Sequence, residues 1–309
     1  MNASLSPLLL SLGAGAALLL GVRQLLHLGL APRATLEGPL PADLGLPACE
    51  VRITSTRGLN LFAWHIPAAS SEPSPAVVLM HGWGGNAGTL LPVAQALYKA
   101  GYAVLLPESR NHGRSDRDDH SSLPRFAQDI DSALDWLKQQ PGIDATRLAV
   151  LGHSVGGAAA LLCASRRNDL RAVVSVSAFA HPEQVMRHWL AAWRIPYRPI
   201  GWLINRYVER VIGERFDTIA PVATLCRISC PVLLAHGRQD ETVPLEEAHR
   251  IHRQCGPANV TLLELEGTHE AFTDMELAMR QLCAFLDRAC KPGAIAIKGG
   301  AAAAHASAA

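Results

Sequence analysis

One heptapeptide constrains this chain more than any other stretch: Leu151-Gly152-His153-Ser154-Val155-Gly156-Gly157. It follows the apolar strand candidate Arg147–Leu151 and precedes a helix candidate running from Val155 through Leu162. A serine caught between glycines at a strand-to-helix turn is pushed clear of the backbone, so the pattern G-x-S-x-G occurs here in the context that presents a hydroxyl for attack. Short matches arise by chance, so the weight rests on what surrounds this one.

Three further signals lie in order around it. Upstream, Ala76–Met80 reads as a buried strand that runs into His81-Gly82-Trp83-Gly84-Gly85. A glycine-rich turn at a strand's carboxyl end can offer backbone N–H groups to an anion, and the expected donors are those of Trp83 and of Val155. Glycines also serve nucleotide-binding turns, but neither G-x-G-x-x-G nor G-x-x-x-x-G-K-[ST] occurs. Downstream, the strand Cys230–Gly237 is followed by Arg238-Gln239-Asp240-Glu241-Thr242-Val243-Pro244. A further strand, Asn259–Glu266, ends at Gly267-Thr268-His269-Glu270. A carboxylate at Asp240 can hold the Nδ1–H of His269 and fix its tautomer. The order Ser154, Asp240, His269 is one of the known orders in which such triads occur along a chain.

The chain has 13 histidines, so His269 has rivals. His81 and His236 precede glycines at strand ends and are expected to bind loop backbone. His153 is expected to point away from Ser154 and pack. His112 is a candidate for the rim of the site, and His249 and His252 for a solvated helix face. Glu241 and Glu183 are the rival acids to Asp240.

Residues 49 to about 290 resemble the α/β-hydrolase superfamily, on the motifs HGWGG, GHSVGG, HGRQDETVP and EGTHEAF. The segment Glu108–Asp116 is similar to the loop after the fourth strand in the esterase, lysophospholipase and serine-aminopeptidase-like branches. Asn111-His112-Gly113 departs from the usual Gly-x-Gly-x-Ser-like turn there. The resemblance implies an α/β class fold: a mostly parallel eight-stranded sheet flanked by helices, with a helical lid inserted after strand 6. It also implies a serine hydrolase acting through Ser154, Asp240 and His269, with an oxyanion hole at Trp83 and Val155 and no cofactor or metal. A carboxylic ester, small or lipid-like, leads as substrate. The alternatives are a peptide or amide, a thioester, or a non-catalytic scaffold.

The rhythm of the chain agrees. A hairpin at Glu50–Ile66 opens the domain, a helix is predicted over Leu90–Ala100 and an amphipathic one over Pro124–Gln140. Asp129, Asp131 and Asp135 are expected to be solvated. Strands alternating with helices imply right-handed crossovers and ligands at the strands' carboxyl ends. The lid, about 179–225, is predicted to be helical at Pro182–Ala192 and Ile200–Ile212. It is rich in aromatics, and Trp189, Trp193 and Trp202 are candidates for an apolar acyl pocket or for gluing the lid to the core.

Outside the domain, residues 5–22 carry no charge. As a helix they would span about 27 Å, near the ~30 Å hydrocarbon core of a bilayer. Residues 1–30 are therefore expected to form an N-terminal apolar helix that anchors the chain in a membrane. A cleaved signal peptide, which would make the protein secreted or periplasmic, and a helix packed on the domain are the alternatives. Arg23 and Arg33 follow the run, which points to a cytoplasmic domain. Residues 31–48, rich in Pro and Gly, suit a linker, and the Gly/Ala-rich 291–309 a disordered tail. A net charge of +1 gives no case for nucleic acid, and 49% hydrophobic content suits a sheet buried on both faces. Seven cysteines without a C-x-x-C pair read as reduced, packed thiols.

Overall fold

The computed structural model describes residues 20–21, 24, 29–254 and 259–291. Eight strands form a single sheet: β1 (Cys49–Thr54), β2 (Asn60–Ile66), β3 (Ser74–Met80), β4 (Ala103–Pro107), β5 (Ile143–His153), β6 (Leu170–Val176), β7 (Val232–Gly237) and β8 (Val260–Leu265), in the spatial order 1-2-4-3-5-6-7-8. β1 and β2 pair antiparallel, and β2 meets β4 antiparallel; every pairing from β4 to β8 is parallel. All seven residues of β3 and all five of β4 are buried, as strands covered on both faces must be.

The longer helices among the described residues are α1 (Leu91–Lys99), α2 (Leu123–Leu137), α3 (Val155–Ala164), α4 (Pro182–Ala192), α5 (Trp202–Ile212), α6 (Leu245–Gln254) and α7 (Met275–Cys290). One core cluster packs α2 and α3 on one face of the sheet through Phe126, Ile130, Leu134 and Leu161. The other packs α1 and α7 on the opposite face through Leu91, Leu97, Phe285 and Leu286. The motif-bearing loops follow β3, β5, β7 and β8, so parallel pairing gathers them at one rim.

Asp129 corrects one expectation. On α2 it is wholly buried, and its carboxylate accepts from Arg110 Nη2 (2.6 Å), Ser55 Oγ (2.8 Å), Ser109 Oγ (2.8 Å) and the Arg110 backbone N–H (2.9 Å). Arg110 is also fully buried. The helical period put Asp129 off the apolar stripe, but the loop after β4 folds over that side and brings a cation to meet it. Asp135 is exposed and Asp131 half-buried beside Arg167.

The apolar run 5–22 lies outside the described residues except for Leu20 and Gly21, as does the tail beyond Lys291. No helix among the described residues is long and apolar enough to cross a membrane. Residues 31–48 lie against the domain: Asn86 Nδ2 donates to the carbonyls of Thr35 (3.0 Å) and Glu37 (2.9 Å), and Gln95 Nε2 to that of Leu44 (3.0 Å). Cys49, Cys163, Cys230, Cys283 and Cys290 are free thiols, whereas Cys226 is disulfide-bonded, against the expectation of reduced cysteines throughout. Spacing alone cannot reveal such a pairing.

Candidate active site

Ser154 has φ 56° and ψ −120°, a conformation rare for a residue with a side chain and held here by its surroundings. Its N–H donates to Val176 O (2.8 Å), and its carbonyl accepts from Ala158 N as α3 begins. The tightness of the turn explains the glycines. A Cβ on Gly152 would collide with the Gly156 carbonyl, and one on Gly156 with the carbonyls of Met80 and His81.

Asp240 sits just past β7 at the start of a tight turn. One carboxylate oxygen, Oδ1, accepts from the N–H groups of Thr242 (3.0 Å) and Val243 (2.8 Å). The other, Oδ2, accepts the Nδ1–H of His269 at 2.8 Å and lies 3.3 Å from His236 Nε2. Burial alone would raise the Asp240 pKa. The hydrogen bonds from His236, His269 and the Val243 N–H outweigh that and hold the carboxyl well below the usual range. His269 is carried by a turn after β8 in which Thr268 N–H donates to Ala271 O (2.9 Å). A Cβ on Gly237 would come within 2.6 Å of the Gly267 and Thr268 carbonyls, so that glycine lets the two loops close on each other.

The third loop, after β3, turns through a Gly85 N–H to Gly82 O bond (3.2 Å). His81 fastens it: its Nδ1–H donates to Gly82 O (2.7 Å), and its Nε2 accepts from Ser109 N–H (3.1 Å). Burial, then the nearby His112, lowers the His81 pKa to about 3, so the ring is neutral and serves structure, as its position before a glycine implies. His236 is likewise bonded to backbone, its Nε2 donating to Val243 O (2.7 Å).

Ser154, His269, Trp83 and Val155 all line one cavity of about 1020 Å³, whose walls include Leu30, Phe179, Met186, Val208 and Phe216. Asp240 stands behind His269, buried, while its rival Glu241 is exposed at the rim. Glu183 is taken up in the lid by Tyr197 Oη (2.7 Å) and Arg187.

Of the three lid tryptophans, only Trp189 lines the cavity; it is 44% exposed and packs edge-on against Trp83, ring centroids 6.4 Å apart. Trp193 (81% exposed) and Trp202 (47%) turn outward. Trp193 is the residue that ends α4. Trp202 lies about a quarter turn from the stripe of α5 that carries the buried Asn205 and Val208.

Two histidines depart from expectation. His153 does not point away from the site: it lines the cavity, its ring centroid is 4.9 Å from that of His269, and its Nε2–H donates to the His269 carbonyl at 2.7 Å. The sharp turn at Ser154, immediately after His153 ends β5, carries both residues to the cavity. Burial lowers the His153 pKa, so the ring is held neutral. His112 is wholly buried behind the loop, packed on His81, Trp83 and Phe126, and does not reach the rim. Sequence reasoning had no signal for Leu30 as a wall residue.

A serine elbow, an Asp–His pair and a glycine loop lie together at one rim of a 1-2-4-3-5-6-7-8 sheet. The chain has the α/β-hydrolase fold. A family profile described as serine aminopeptidase, S33, matches residues 71–215 of this chain. The thermostable monoacylglycerol lipase of Bacillus sp. (strain H-257) is 26% identical over 211 residues, 64% of this chain and 83% of the lipase. An uncharacterized protein of Escherichia coli (strain K12), YfhR, is 25% identical over 269 residues, 84% of this chain and 87% of that one. Among solved structures, the Pyrococcus furiosus esterase Pf2001 superposes with a TM-score of 0.67 at 21% identity, covering 84% of this chain and 99% of the esterase.

Proposed function

We propose that this α/β hydrolase is a serine esterase cleaving carboxylic esters with an apolar acyl group. The observation that carries the reading is the strained Ser154 in the same apolar-walled cavity as an imidazole whose Nδ1–H is held by a buried, ionised Asp240. His269 takes the Ser154 proton as Oγ attacks the ester carbonyl, and Asp240 stabilises the imidazolium that forms. The N–H groups of Trp83 and Val155 receive the oxyanion, each contributing about 3–4 kcal/mol to the transition state. Collapse expels the alcohol, which takes its proton from His269, and a water activated by the same ring hydrolyses the acyl-enzyme.

The cavity walls favour an acyl chain. Each methylene buried there contributes about 0.8 kcal/mol, so kcat/KM should rise about fourfold per added CH2 until the cavity is filled. The lipase and esterase relatives support an ester, and the uncharged run 5–22 supports a lipid-like one met at a membrane, the domain facing the cytoplasm. The serine aminopeptidase profile keeps a peptidase reading in play, and Glu241, Glu247 and Glu270 around the cavity would suit a substrate amine. The test pairs fluorophosphonate labelling with a panel of p-nitrophenyl acyl esters and aminoacyl amides on the full chain. Labelling at Ser154, with ester turnover rising with chain length, is expected. Unmodified Ser154, or preferential turnover of the amides, would reject the esterase.

A further inference from the structure

The segment upstream of the domain touches the active site at three points, and the family match, which begins at residue 71, does not cover it. Gly29 and Leu30 line the cavity that holds Ser154 and His269, and Leu30 packs against the core. The Leu30 carbonyl accepts from Ser121 N–H (2.7 Å), and Ser121 is itself a cavity residue. Farther along, Thr35 Oγ1 donates to Gly84 O (3.0 Å), in the loop that carries Trp83.

Asn86 joins the two pieces. Buried directly after the glycine loop, it gives its side-chain N–H groups to the carbonyls of Thr35 and Glu37, while its Oδ1 accepts from Gly88 N–H (2.9 Å). A buried amide with its donors and acceptor all engaged is specific: no other residue type offers two N–H groups and an acceptor in that geometry. Gly88 approaches the same clamp closely, since a Cβ there would lie 3.0 Å from Asn86 Oδ1 and 3.1 Å from Pro39 O.

We infer that residues 29–38 are a strap belonging to the active site, with Leu30 setting acyl-chain selectivity and Thr35 and Asn86 positioning the loop that presents the Trp83 N–H. This rests on the esterase reading above. Leu30 forms one wall for the acyl chain in the cavity that the lid also lines. Thr35 and Asn86 are positioning residues: they touch no substrate, and they hold the Gly84–Gly85 peptide one residue from the oxyanion donor. The segment that leads to the apolar N-terminal run thus also sets the geometry of catalysis.

The experiment compares full-chain variants on p-nitrophenyl acetate and dodecanoate, with Ser154→Ala in parallel. Leu30→Trp should lower the dodecanoate-to-acetate ratio of kcat/KM about tenfold by filling the wall. Thr35→Val should lower kcat on acetate about threefold with KM unchanged, and Thr35→Ser should restore it. Asn86→Asp keeps the acceptor for Gly88 but sets a carboxylate against two carbonyls. It should speed tryptic cleavage after Arg33 and lower kcat by more than Thr35→Val does, with a cooperative thermal melt showing that the domain is folded. A wild-type selectivity ratio in Leu30→Trp together with wild-type kcat in folded Asn86→Asp would overturn the strap, and loss of turnover in Ser154→Ala would then leave the esterase standing. Turnover surviving in Ser154→Ala would reject the esterase, and the strap's role with it.

Discussion

The floor of the site and its lid are built by opposite rules. On the floor, polar groups are buried and almost all are answered. Asp129 meets Arg110 and two serines, His81 binds Gly82 and Ser109, and Asp240 takes four donors. In the lid the imbalance is reversed, for Trp193, Ile200, Trp202 and Leu203 are large apolar side chains left in water. Chemistry needs groups fixed to within fractions of an ångström, so the floor is over-determined. Substrate entry needs a surface that can part, so the lid is held by few contacts.

The sharpest break in that comparison is functional. Ser154→Ala and His269→Ala should each lower ester turnover by at least about 10⁴-fold, because the triad acts as a unit. Near-ultraviolet circular dichroism should show the fold kept. A substitution anywhere on the outward face of the lid, such as Trp193→Ala, should change turnover of a soluble short-chain ester far less. Comparable losses in both regions would dissolve the distinction.

The floor was also the part legible in the sequence, for a physical reason. A serine turn, a glycine loop and the ends of apolar strands are local patterns, and parallel pairing brings such ends to one rim whatever the intervening loops do. The strands that carry the motifs, β3, β5, β7 and β8, were readable as apolar runs. What escaped depends on distant chain. Nothing near Asp129 announces that Arg110 will fold over it, and nothing near Leu30 shows that its carbonyl will meet Ser121. Nothing near His153 shows that its ring will meet the carbonyl of His269. In the lid, a tryptophan looks the same whether it faces a pocket or water, and only the placement of α4 and α5 separates Trp189 from Trp193 and Trp202.

Stability gives the next test. Asp129→Ala leaves the buried guanidinium of Arg110 without its main partner and should destabilise the protein by about 3–5 kcal/mol in chemical denaturation. Arg187→Ala removes an exposed lid pair with Glu183 and should cost no more than about 1 kcal/mol. A loss near 1 kcal/mol at Asp129 would mean that water reaches the cluster.

A smaller effect appears with pH. The His81 pKa is lowered to about 3 in the folded protein, against an unfolded value near 6.5. Above pH 6.5 both states are neutral and the contribution is complete. As pH falls from there toward 3 the unfolded chain takes up a proton that the folded one refuses, and stability declines by up to about 1.4 kcal/mol per pH unit. His112 and His153, also lowered chiefly by burial, act in the same direction. His81→Gln should flatten the slope of unfolding free energy between pH 6 and 4, measured by urea titration at each pH. An unchanged slope would assign the acid sensitivity to groups other than His81.

The smallest expected change separates two readings of the exposed aromatics. Trp193 is 81% exposed, so Trp193→Ala should shift the unfolding free energy by no more than about 0.5 kcal/mol. Trp189 packs against Trp83, so Trp189→Ala should cost measurably more and should also disturb turnover through the glycine loop that carries Trp83. If the two substitutions cost the same, Trp189 is a surface residue like its neighbour and the lid makes no aromatic contact with the floor that matters energetically. If Trp189→Ala lowers kcat while Trp193→Ala leaves it unchanged, the lid is divided along its own length. Its inner face then belongs to the site, and its outer face stays apolar for a reason other than the fold.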